Sequence, residues 1–108
     1  MMDPSQYRVE TFTPHIGSAF KVTMQAGASL GLELVEVQPG PTSPKVMQFS
    51  IFFRGPREPA LSQRMYHLQH PRLGEMDLFL VPVAQEPQGM MYQAVFNRFL
   101  DAASAKHP

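Results

Sequence analysis

The sequence predicts an all-β domain, a small antiparallel barrel or sandwich of six or seven strands with a short C-terminal helix. Three observations predict it. Eleven prolines and seven glycines fall between apolar segments at fairly regular spacing in 108 residues. Within those segments apolar and polar residues alternate, as they do on a half-buried strand. No long helical stretch separates one segment from the next, which argues against a βαβ arrangement.

The elements follow in order. Residues 1–8 are expected to be a loose terminus, residues 9–97 a single β domain, and residues 98–108 a helical tail rich in good helix formers. Pro14 and Gly17 mark a first turn, after which Phe20, Val22 and Met24 alternate with Lys21 and Thr23. In "LGLELVEVQ", Leu30, Leu32 and Leu34 share a face, and the apolar phase then slips to Val35 and Val37. Either a β-bulge near Leu34 re-aims the later side chains, or the second half of the strand is covered on its other face. "PGPTSP", residues 39–44, is a loop, because its three prolines cannot donate to a ladder.

Met47, Phe49, Ile51 and Phe53 then form one face, and Phe52 breaks the polar side, as expected of a central strand covered on both faces near its end. "RMYHLQ" places Tyr66 and Leu68 together, and "HPRLG" is a tight connection with Pro71 and Gly74 as turn residues. "EMDLFLVPV" sends Met76, Leu78 and Leu80 inward and Phe79, Val81 and Val83 the other way. "MMYQAVFN" groups Met90, Tyr92, Ala94 and Phe96.

Composition limits the functions available. Nine basic and nine acidic residues give a formal net charge of zero, with no basic stripe for nucleic acid and no run of like charge for a membrane surface. The absence of cysteine excludes disulfides, zinc-thiolate sites and a cysteine nucleophile, and it leans towards a cytoplasmic location. The first twenty residues hold no signal-peptide run. No segment reaches the roughly 20 apolar residues that span a bilayer, so no membrane insertion is expected, and export without a cleaved signal stays open.

No catalytic, cofactor or metal site stands out. His67 and His70 are three apart, which on a strand points their rings to opposite faces, and Pro71 favours an extended chain there. Glu75 and Asp77 share a strand face, and across the "HPRLG" connection one of them is expected to face His67 or Gln69 as a cross-strand polar pair. No serine lies in a G-x-S-x-G elbow, and "GASLG" leads into a strand where a phosphate loop would lead into a helix.

The candidate contact residues lie elsewhere. In "FSIFFRGP", Arg54 is expected at the strand rim, Gly55 in a positive-φ turn and Pro56 at the exit. Together they act as a structural lock or as an anchor for a partner. The Arg54 guanidinium would then bond free carbonyls or fork onto a carboxylate, with Glu58, Glu75 and Glu86 as candidates. Met90, Met91, Tyr92 and Phe99 crowd near the C-terminus as a candidate contact surface, most of this group being expected in the core.

"FTPHIGSAF", "LELVEV", "FSIFFRGP", "YHLQHPRLGEMDLFLVPV" and "GMMYQAVFN" occur in this order over roughly residues 10–97. As a set they resemble a family of small bacterial domains of unknown function, marked by an F-R-G-P step, a later G-E strand ending in V-P, and a final Y-x-A-V-F-N. His15 departs from that pattern, where an aliphatic residue is expected. The resemblance implies a compact β domain with no established activity, often encoded near phage-tail-like fibre or collar proteins. The expected function is therefore a non-enzymatic interaction or assembly module without cofactors. Its partner would be itself, as a homo-oligomer, or a larger bacterial protein. The alternative is a small barrel that binds an apolar ligand in its mouth or lumen.

Overall fold

A computed structural model describes residues 7–24, 27–40, 46–58 and 60–99. Six antiparallel strands close into a barrel in the order β1-β2-β3-β6-β5-β4. They are β1 (Ala19–Thr23), β2 (Ser29–Pro39), β3 (Val46–Gly55), β4 (Arg64–His70), β5 (Gly74–Glu86) and β6 (Gly89–Phe99). The expected all-β class is thus realised as a barrel with six strands. β1-β2-β3 and β4-β5-β6 are two meanders, joined along their flanks by β3–β6 and by β1–β4.

The helix among the described residues lies before the barrel: a single turn, α1 (Val9–Phe12), continued by a 3-10 turn, Thr13–His15. The expected C-terminal helix is corrected at its start, because β6 continues through Arg98 and Phe99 and pairs them with Met47 and Val46. The rest of the expected tail, 100–108, lies outside the described residues, as do the first six residues and most of the 39–44 loop. Tyr7, expected in a loose terminus, is instead buried in the core.

The alternation read from the sequence fills the interior. Phe20, Val22, Leu32, Leu34, Ile51, Phe53, Leu68, Leu80 and Tyr92 are fully buried. The slip after Leu34 is a register shift between Leu34 and Glu36 against β3, which resolves the two readings in favour of the bulge. A second shift, between Pro82 and Ala84 on β5, follows from Pro82, which has no N–H to give to the ladder.

α1 brings Phe12 over the Val46–Phe99 end of the β3–β6 ladder. Phe49 and Phe96 stack there with centroids 4.7 Å apart and planes 6° apart, and Phe12 and Tyr7 close on Phe96 at 5.4 and 5.7 Å. Offset and edge contacts of this kind add to plain area burial. The α1 turn is held by Arg8 N–H donating to Thr11 Oγ1 at 3.0 Å and Thr13 Oγ1–H donating to the Val9 carbonyl at 2.8 Å.

Candidate functional site

The residues expected around the F-R-G-P step occupy different roles from those read in the sequence. Arg54 and Gly55 are not a turn: they are the last two residues of β3, opposite Met91 and Met90 of β6. Gly55 does not have a positive φ. It is glycine because a Cβ would lie 2.5 Å from Leu32 Cδ2; the first residue of β6, Gly89, is glycine in turn because a Cβ there would overlap the Gly55 carbonyl oxygen. Pro56 follows the strand end, as expected. Arg54 approaches Glu86 at 3.9 Å through a single pair of atoms, so the guanidinium does not fork onto a carboxylate. Its Nε is shielded from water without a hydrogen bond.

The expected surface of Met90, Met91, Tyr92 and Phe99 is also revised. Tyr92 is fully buried, and its hydroxyl oxygen accepts the Leu61 N–H at 2.8 Å. Met90 is half-buried against the core and Met91 is half-buried on the opposite side of the strand. Phe99 pairs with Val46, and its side chain lies outside the described part of the structure.

Apart from Ile16, in the turn before β1, the large exposed apolar residues among the described residues lie on the outer faces of β4, β5 and β6. Met65 and Phe79 are direct cross-strand partners, 58% and 46% exposed, and Val95 is 49% exposed on β6. Val83, at the β5 register shift, is also exposed. In "EMDLFLVPV" the outward positions change from Glu75 and Asp77 to Phe79, Val81 and Val83. The polar half of the face thus gives way to an apolar half. A cavity of about 320 Å³ borders Met65, lined also by Leu61, Tyr66 and His67.

The polar half is organised by His67. Its Nδ1 lies 2.8 Å from Asp77 Oδ1 and its Nε2 lies 3.0 Å from Glu75 Oε1. Neutral imidazole has one N–H, so two carboxylates on two ring nitrogens are both served only by the protonated ring. The Asp77 hydrogen bond, with smaller help from Glu75, raises the His67 pKa above 6.5 against some desolvation. The expected cross-strand pair is therefore present and doubled. Among the described residues no group of three His, Cys, Asp or Glu is placed to hold a metal ion.

A second histidine is buried at a position that no motif in the chain marks. His70 is 5% exposed. Its Nδ1 accepts the N–H groups of Arg72 and Leu73 at 3.1 and 3.2 Å. Nδ1 therefore carries no proton, and in the neutral ring Nε2–H donates to Ser18 Oγ at 2.9 Å. Ser18 Oγ–H in turn donates to the His15 carbonyl at 2.6 Å. Burial, with His15 and Arg72 nearby, lowers the His70 pKa. His15 packs its ring edge-on to His70 at 4.7 Å.

Ser18 and His70 are 52 residues apart, and no spacing in the chain announces their contact. By contrast, the outward apolar run 79–83 was legible in the alternation itself. Among the described residues no helix is long and apolar enough to cross a membrane. No curated protein and no solved structure matches the chain. Residues 7–96 match the model of the family described as "Domain of unknown function (DUF6916)", and the chain belongs to that family.

Proposed function

We propose that this domain is a non-enzymatic interaction module that associates through the outer face of β4, β5 and β6. The observation that carries this reading is the exposed cross-strand pair Met65 and Phe79, continued by Val83 and Val95. Single exposed apolar side chains are ordinary, but a grouped set on one sheet face marks a contact surface. The favoured occupant is a second copy of the chain. A net charge of zero opposes no self-association, and the four exposed side chains are themselves uncharged. A structural or accessory subunit of a bacterial fibre-like assembly is the finer form of this reading, supported by the family resemblance.

The interior argues for the same choice over a ligand in the lumen. The barrel is filled by its own side chains, Phe20, Phe53, Leu80 and Tyr92 among them, each fully buried. The polarity of the Ser18–His70 pair favours a non-enzymatic role. A nucleophilic serine gives its proton to a histidine nitrogen, whereas His70 donates to Ser18.

Light scattering across a concentration series tests the proposal. The expected result is self-association that Phe79→Glu abolishes while the thermal melting point stays within a few degrees of wild type. A mass of one chain at every concentration, or association unchanged by both Phe79→Glu and Met65→Glu, overturns it.

A further inference from the structure

The barrel's outer surface at the β1–β4 junction carries a second site. Among the described residues, β1 and β4 pair through Lys21↔Gln69, Val22↔Leu68 and Thr23↔His67. Continued by two residues, that register sets Ala19 opposite Pro71, which has no N–H to extend the ladder. The junction opens there into a groove of about 420 Å³.

Phe20 and His70, both buried, form its floor, with ring centroids 4.5 Å apart. Gly31, Lys21, Gln69 and Glu75 stand in one row across four strands by direct register, and all four line the groove. Gly31 has no positive φ, and a Cβ there would meet nothing within 4 Å. Neither backbone conformation nor packing calls for glycine at that position, and its effect is to leave the groove open.

The two charges at the rim are not equivalent. Glu75 is engaged by His67 at 3.0 Å, whereas Lys21 has no ion-pair partner among the described residues. We propose that this groove binds a small ligand with an apolar body and one anionic group, the body lying over Gly31 beside Pro71 and the anion pairing with the Lys21 ammonium. The chemistry is that of an aromatic or aliphatic carboxylate or sulfonate. A groove of this size, with mainly apolar walls and a few polar groups to fix orientation, is of the kind that takes small ligands.

Isothermal titration calorimetry with anilinonaphthalene sulfonate tests the site. Saturable binding of one probe per chain is expected. Gly31→Leu fills the groove and should abolish it, while Phe79→Glu, outside the groove's lining, should leave it unchanged. Lys21→Gln keeps the fold and the groove volume. It should weaken binding about two- to fivefold, as for a partly exposed ion pair, and remove its salt dependence. Binding that survives Gly31→Leu, binding lost in Phe79→Glu, a Lys21→Gln variant that binds as tightly as wild type, or no saturable binding by the wild-type chain would each overturn the proposal.

Discussion

The two meanders meet along two junctions, and the junctions are built differently. β3 and β6 pair without interruption from Val46↔Phe99 to Gly55↔Met90. That ladder is capped at one end by the aromatic group of Tyr7, Phe12, Phe49 and Phe96, and closed at the other by the tight approach of Gly55 and Gly89. β1 and β4 pair through three residues and then part at Pro71. Their opening is filled by polar contacts, the Ser18–His70 bond and two main-chain bonds to the same ring. Both junctions join strands distant in sequence. One is closed by apolar burial, which holds the fold. The other is closed by hydrogen bonds, which fix a histidine and leave a groove beside it.

If that contrast is right, the long junction should carry the largest effects. Phe49→Ala removes the stacked partner of Phe96 and a contact of Phe12, and should cost about 3–5 kcal/mol in urea unfolding. A loss below about 1 kcal/mol would mean that the aromatic group is ornamental.

The two strand glycines give a sharper test. Gly55→Ala forces a methyl against Leu32, which is itself buried in the interior, and should cost about 1–3 kcal/mol. Gly31→Ala, at the short junction, meets open space and should be neutral or stabilising by up to about 1 kcal/mol. Equal costs at the two positions would erase the distinction.

Ser18→Ala removes the acceptor of the buried His70 Nε2–H and should destabilise by about 1–3 kcal/mol, read as a lower urea midpoint with an unchanged slope. If the variant is as stable as wild type, hydrogen bonding does not close the short junction.

The smallest effects belong to pH, and the two histidines should respond in opposite directions. The folded-state pKa of His67 is raised, so its contribution is complete below the unfolded value of 6.5 and is lost as pH rises through the folded value. His70 has a lowered pKa, so its contribution is complete above 6.5 and is lost as pH falls through its folded value. His67 is partly exposed, and solvent screening holds its share below about 1 kcal/mol. NMR titration of the ring protons should place the two midpoints on either side of 6.5, with Asp77→Asn lowering only that of His67. Coincident midpoints would refute the assignment.

Much of the barrel was legible because side-chain alternation is a local property. Phe49, Ile51 and Phe53, or Met76, Leu78 and Leu80, declare a buried face whatever they pack against. The bulge at Leu34 and the outward apolar run at Phe79 were readable by the same rule, as breaks in phase and in polarity. The N-terminal turn was not, since α1 is four residues long and is held by what Phe12 packs on. Gly55 was misread because a glycine looks the same in sequence whether it serves a turn or a close approach. Tyr92 was misread because the interior use of its hydroxyl depends on Leu61, 31 residues away.

The sequence by itself thus determined the class, the number of strands to within one, the inward faces and the sign-balanced surface. These follow from residue type and a two-residue period. Tertiary structure alone decided that the sheet closes, that β6 lies against β3 while β4 meets β1, and that Ser18 and His70 touch. Such contacts join residues far apart in the chain, and only the barrel's register, set by every strand at once, brings them together.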